Sequence, residues 1–222
     1  MRTLAVLPVK GFFAAKGRLA ARLEPEQRAE LAEAMLGDVL DALVGATEIE
    51  AVLVVTAEPR AAAVADAAGA AVIADTEQAG QSPAAALGVA EALRAGCERA
   101  LLVPGDTPLV TPDDVDDLLC RSTSGLPSVG IVPDRHGTGT NALLLCPADA
   151  IAPSFGPYSR ARHVAAAEHA AIAPSLEPVP SLEHDIDTPE DLAALAARLQ
   201  DGDPRISPRT RATTALSLST EA

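Results

Sequence analysis

Four short apolar runs, LAVLPV (4–9), AVLVVT (51–56), AAVIAD (70–75) and ALLVPGD (100–106), are separated by Ala-rich stretches long enough to be helices. This alternation constrains the fold more than any other feature. An unbroken apolar run of strand length reads as a strand buried on both faces. Strands joined through helices pair in parallel, with the helices covering the sheet. The intervening segments carry helical signals. Residues 25–44 repeat Leu31, Met35, Val39 and Leu43 at every fourth position. In 82–96, Ser82 is placed to cap a helix with Pro83 at its first position, and Thr111 and Pro112 open another over 111–120. Beyond these, strands are expected at 128–133, 140–146 and 175–182, and helices at 159–171 and 189–199. Residues 201–222 lack apolar periodicity and are rich in Ser, Thr, Arg and Pro, so residues 1–200 read as one domain followed by a disordered tail. The alternation therefore predicts an α/β fold with a mainly parallel sheet and helices on both faces.

In such sheets ligands bind beyond the carboxyl ends of the strands. LLVPGDTPLV (101–110) ends a buried strand on Asp106, either a turn aspartate or a magnesium ligand, since magnesium takes hard oxygen donors from one or two carboxylates. PVKGFFAAKGRLA (8–20) follows the first strand with Lys10, Lys16 and Arg18, three cations able to hold a polyphosphate, though the segment also reads as a solvated basic loop. It is not a Walker A loop. In HDIDTPEDL (184–192), Asp185 and Asp187 flank Ile186, and in an extended chain both carboxylates face one side. Asp187 is alternatively the cap of the last helix, with Thr188 as a rival. DRHGTGTNALLL (134–145) and FGPYSRARH (155–163) offer amides and hydroxyls to an anion, and Ser159 is placed to cap a helix beginning near Arg160. His136 and His163 have no partner at metal-ligand spacing, and His163 reads as structural.

These five motifs, in this order over about residues 3–200, resemble the 2-phospho-L-lactate / phosphoenolpyruvate guanylyltransferase family of coenzyme F-420 biosynthesis, within the nucleotidyltransferase superfamily. The resemblance implies the Rossmann-like α/β nucleotidyltransferase sandwich, its mixed sheet mainly parallel with helices on both faces, and transfer of GMP from GTP to the phosphate of a three-carbon acid, with release of pyrophosphate. By motif position it implies that Thr140, Gly156 and Ser159 hold the acid and that Asp106, Asp185 and Asp187 hold Mg²⁺. Lys10, Lys16 and Arg18 would meet the nucleotide, with Asp106 and Lys16 at the chemistry. Bacterial members generally take phosphoenolpyruvate and archaeal ones 2-phospho-L-lactate. One departure stands out. The family often carries Leu-Asn before the 83–95 helix, its amide holding the nucleoside. Here the stretch is QSPAAAL, with Ala84 in that place and Gln81 or Ser82 left to compensate. Thr107 also replaces a commonly apolar residue.

Composition excludes other classes. Net charge is −14 and aromatics are 2% of residues, so a nucleic-acid backbone is repelled and bases have almost nothing to stack on. No apolar stretch reaches the ~18 residues of a membrane span, and the first apolar run, broken by Pro8 and Lys10, does not read as a signal peptide, so a cytoplasmic location is expected. Cys97, Cys120 and Cys146 are too few and too widely spaced for a disulfide framework and read as small core residues. A homodimer is compatible with the sequence. Two other functions stay open at this point: a cytidylyl- or sugar-phosphate nucleotidyltransferase, and a non-catalytic nucleotide-binding protein of the same fold.

Overall fold

The structure, a computed structural model, describes residues 1–12, 16–121 and 126–219. In chain order the elements are β1 (Thr3–Val9), a 3-10 turn (Gly17–Ala21), α1 (Pro25–Gly45), β2 (Ala51–Thr56), α2 (Pro59–Ala68), β3 (Ala71–Ala74), α3 (Gln81–Arg94), β4 (Arg99–Leu102) and α4 (Pro112–Arg121). They continue with β5 (Ser128–Pro133), β6 (Thr140–Cys146), α5 (Ser159–His169), β7 (Ser175–Leu176), α6 (Pro189–Gln200) and α7 (Pro208–Ser219). Among the described residues, seven strands form one sheet in the order β3-β2-β1-β4-β6-β5-β7. Of these strands β6 runs against its neighbours, β4 and β5, and the other pairs are parallel. The mixed, mainly parallel sheet read from the sequence is the one observed.

Strand alternation builds the two cores. Ala5 and Leu7 of β1, Val52 and Val54 of β2, and Leu101 of β4 face α1, α2 and α4. Their neighbours Leu4, Val6, Leu53, Val55 and Leu102 face α3 and α5. The second face is packed tightly at Gly88 of α3. A Cβ there would lie 2.1 Å from Val6 Cγ1, on a β-branched side chain in a central strand. Gly88→Ala is therefore expected to destabilise the protein by roughly 1–3 kcal/mol and to lower Tm by about 2–12 °C. Thermal unfolding checks this, and an unchanged Tm would mean that the helix shifts away freely.

Several expectations need correction. Ser82 does not cap α3, which starts at Gln81 with Gly80 as its cap. Its hydroxyl instead accepts the Phe155 N–H at 2.8 Å and ties α3 to the 154–157 loop. Ser159 is the first residue of α5, after Tyr158 at the cap, and its hydroxyl accepts the Thr140 N–H at 2.8 Å. The strand expected at 175–182 shrinks to the two residues of β7. Cys120 is exposed, whereas Cys97 and Cys146 are buried. Thr111 does serve α4, its hydroxyl accepting the Asp114 N–H at 3.2 Å.

The largest correction is the tail. Residues 208–219 are helical and pack on α1, while 220–222 lie outside the described residues. Apolar periodicity failed to reveal this helix because polar groups dock it. Buried Asp38 of α1 accepts hydrogen bonds from the Ser207 and Thr210 hydroxyls, and Arg209 pairs with Asp41. Gly37 lets the Arg209 side chain lie against α1, and Ile206 is buried in a third apolar cluster. Among the described residues no helix is long and apolar enough to cross a membrane.

Candidate functional site

That third cluster assembles the site. It joins Leu19 after the first loop, Met35 of α1, Leu109 after β4, Ile186, and Leu192 of α6. The three charged motifs thus have apolar anchors in one small core: Lys16 and Arg18 beside Leu19, Asp106 beside Leu109, Asp185 and Asp187 around Ile186. The Ile186 N–H also donates to the Asp106 carbonyl at 3.1 Å, pinning the two acidic segments together. Thr188, rather than Asp187, caps α6, in a reciprocal box with Asp191. That leaves the Asp187 side chain for the site.

The Lys16 ammonium lies 2.5 Å from Asp106 Oδ2 and 2.7 Å from Asp187 Oδ1. Its side chain is 5% exposed, against 27% and 38% for the two aspartates. Burial disfavours the Lys16 charge, but Asp106 and then Asp187 outweigh it and hold the pKa above the ordinary lysine value. Burial likewise works against ionised Asp187, but Lys16 with its hydrogen bond, then Arg18 and Lys10, prevail and keep the carboxyl below its usual range. Asp185 lies on the other side of the balance. Burial, followed by the charge of Asp106, raises its pKa, against a 3.2 Å hydrogen bond from Asn141 Nδ2. Lys16 holds this position with φ 57° and ψ 32°, a left-handed backbone that costs a non-glycine residue about 1–2 kcal/mol. Such strain tends to persist at functional sites.

Among the described residues, no three carboxylate, imidazole or thiol groups already form a metal cage. The ammonium of Lys16 bridges two of the three candidate carboxylates instead. The donor set nevertheless fits a hard cation. Asp106 Oδ1 is buried with no hydrogen-bond partner, and Asp185 is held against the negative charge of Asp106.

Two adjoining cavities, about 240 and 250 Å³, open at the strand ends and share Lys10 and Gln81 in their walls. The first contains Lys16, the three aspartates and Thr140. Arg18 stands outside it, its side chain 75% exposed and 4.0 Å from Asp187. Gly156 and Ser159 sit behind Thr140, linked by the Ser159 N–H to Gly156 carbonyl bond (3.0 Å) and by the Thr140 N–H to Ser159 bond. The amides of Ser159 and Arg160 are already engaged with the Gly156 and Thr138 carbonyls, so the start of α5 is less open to an anion than its sequence implied. The second cavity holds a residue that sequence reasoning passed over, Asp75 at the end of β3, 9% exposed and accepting the Gln78 N–H at 3.0 Å. The available signal was the one used for Asp106: an apolar run closing on a carboxylate. Ala84 also lines this cavity, and of the two residues able to compensate for it, Gln81 faces the cavities while Ser82 is bound to Phe155. A larger groove of about 500 Å³ between α1, α2 and α7 shares no residue with these two.

The profile of the family described as "Guanylyl transferase CofC like" matches residues 3–203. A phosphoenolpyruvate guanylyltransferase of Conexibacter woesei is 50% identical over 195 residues, covering 88% of this chain and 87% of that one. One of Sphaerobacter thermophilus is 42% identical over 198 residues, 88% of this chain and 93% of its own. A 3-phospho-D-glycerate guanylyltransferase of Phenylobacterium zucineum is 40% identical over 196 residues, 86% and 88% of the two chains. Among solved structures, a provisionally named nucleotide-diphospho-sugar transferase of Desulfovibrio desulfuricans G20 superposes with a TM-score of 0.76 at 17% identity, covering 99% of this chain and 96% of its own. The 4-diphosphocytidyl-2C-methyl-D-erythritol synthase of Anaerococcus prevotii gives 0.63 at 11%, covering 90% and 96%. At these identities the two structures speak for the fold alone.

Proposed function

This chain belongs to the CofC-like guanylyl transferases, and on that premise we propose that it moves GMP from GTP onto the phosphate of phosphoenolpyruvate in coenzyme F-420 biosynthesis. One observation carries the reading at the site: a buried ammonium held between Asp106 and Asp187 where two cavities meet beyond the strand ends. In a protein of net charge −14, that is a local concentration of cationic and metal-seeking groups suited to two polyanionic substrates.

An oxygen of the acceptor's phosphate forms the new bond to the α-phosphorus of GTP, and the bond from that phosphorus to the β-phosphate oxygen breaks, so pyrophosphate leaves. The attacking oxygen is already anionic near neutral pH, so no protein base is needed. The chain's work is positioning and charge stabilisation. Lys16 turns from its carboxylates toward the phosphates, Lys10 follows the nucleotide between the cavities, and Arg18 meets the phosphate tail at the rim. Thr140, with Gly156 and Ser159 behind it, holds the acid. Asp106, Asp185 and Asp187 would hold Mg²⁺, which when bound supplies neutralisation of the phosphates and of the departing pyrophosphate.

The second cavity takes the base. Guanine presents N1–H and N2–H₂ side by side, and a carboxylate accepts both, so Asp75 is the reader and Gln81 stands in for the missing asparagine. Asp75→Asn is expected to lower kcat/KM for GTP about 10- to 100-fold and that for ITP, which lacks the N2 amine, by less. An unchanged GTP:ITP ratio would remove Asp75 from base recognition. The reaction is tested by mass spectrometry of products formed from each of four NTPs with Mg²⁺ and phosphoenolpyruvate, 2-phospho-L-lactate or 3-phosphoglycerate. Faster turnover of CTP or UTP would overturn the guanylyl reading. The Phenylobacterium relative favours 3-phosphoglycerate as the second acceptor to consider, and preference for it would replace the acid while leaving the reaction intact.

A further inference from the structure

His163 is fully buried behind Thr140, and three hydrogen bonds fix what each group there can do. The Ser154 N–H donates to His163 Nε2 at 2.8 Å. A backbone amide can only donate, so Nε2 must be the bare acceptor nitrogen and a neutral ring must carry its proton on Nδ1. The ring is neutral because burial, helped by the charge of Arg162, lowers its pKa to about 4. Nδ1 lies 2.9 Å from Thr140 Oγ1, so the ring donates and the hydroxyl accepts. The Thr140 hydroxyl then keeps its own proton for a partner other than the histidine, and Thr140 lines the first cavity. Ser159 is set similarly, its oxygen accepting the Thr140 N–H. The frame around the ring is stiff. Phe155 packs edge-on with ring centroids 5.3 Å apart, and Arg162 binds the Ser154 and Phe155 carbonyls at 2.9 and 3.0 Å.

We propose that His163 is a positioning residue for the acceptor acid: as the Nδ1–H tautomer it donates to Thr140 Oγ1 and so leaves the Thr140 hydroxyl proton free for the acid's anionic oxygens. The inference rests on the reading of Thr140 as part of the acid's site. It favours an anion over a hydrogen-bond donor at that position, because the hydroxyl has already accepted one bond from the ring and has its own proton left to give.

Two measurements decide it. Long-range ¹H–¹⁵N NMR of the wild-type protein without substrates is expected to show Nδ1 protonated and Nε2 bare, and the reverse tautomer overturns the proposal. The second is a pair of variants. His163→Gln keeps an acceptor for the Ser154 amide but places no donor at Nδ1, whereas His163→Asn places an amide donor near Nδ1 and gives up the other bond. The expected result is a KM for the acid raised about tenfold in the Gln variant and about threefold or less in the Asn variant, with the KM for GTP unchanged in both. Equal rises in the two variants, or a parallel rise for GTP, would reduce His163 to packing. If the Gln variant does not fold, the NMR result on the wild type decides. A chain that turns over none of the three acids sinks the acid reading and the hydroxyl's target with it. The wrong tautomer in an active enzyme sinks only the role of His163.

Discussion

Replacing Asp106 with asparagine is expected to lower kcat by about 10³-fold or more while the protein stays folded. Removing one preorganised charge-stabilising group from a phosphoryl-type transfer typically costs ~10²–10³, and Asp106 has two duties. Its Oδ2 holds Lys16, and its Oδ1 is buried with no partner, the oxygen most available to a cation. An amide in its place keeps the shape but loses the charge. The fold should tolerate this, because Lys16 retains Asp187 at 2.7 Å and Asp185 is relieved of a repulsive neighbour. Turnover is compared over a Mg²⁺ titration, with Tm as the control for folding. Activity within tenfold of wild type at every Mg²⁺ concentration would exclude Asp106 from the mechanism.

Lys16→Met should reduce kcat/KM about 10²- to 10³-fold and at the same time make the free protein more responsive to Mg²⁺. In the structure the ammonium already occupies the space between Asp106 and Asp187. On the proposed reading, a divalent ion would compete with it until the lysine turned to substrate phosphates. Without the ammonium, the aspartates repel one another with nothing between them, and any cation that binds stabilises the fold by mass action. The Mg²⁺-induced rise in Tm should therefore be larger in Lys16→Met than in wild type, although catalysis is worse. A lysine that merely filled space would change neither kinetics nor metal response. Near-normal kcat/KM, or equal Mg²⁺ shifts in both proteins, would count decisively against the competition described.

Much of the architecture was legible along the chain. β2, β5 and β6 match their expected bounds, because Val- and Leu-rich runs of strand length have no other low-energy use in a sheet covered on both sides. The acidic segments were legible for a related reason. Ile186 is the single apolar residue between two aspartates, and its burial turns both carboxylates to one side. What escaped were features made by polar partners distant in sequence. Ser82 and Ser159 look like caps, but Phe155 and Thr140 take their hydroxyls. The helix after residue 207 has no apolar stripe to reveal it, because Asp38, nearly 170 positions earlier, supplies its anchor. Asp75 ended an apolar run as visibly as Asp106 did, but only the folded chain shows that it lines a cavity beside β3.

Periodicity was enough to specify the covered, mainly parallel sheet and the strand ends where acidic and basic groups gather, because burial along a strand or helix is a local property of the chain, whereas the antiparallel run of β6 was not legible there. Which charges pair, which hydroxyls accept and which donate, and how Lys16 is shared between Asp106 and Asp187 were settled by folding. Those outcomes depend on distances of a few ångströms between segments 19 to 171 residues apart, where desolvation and charge compete within the same few kcal/mol.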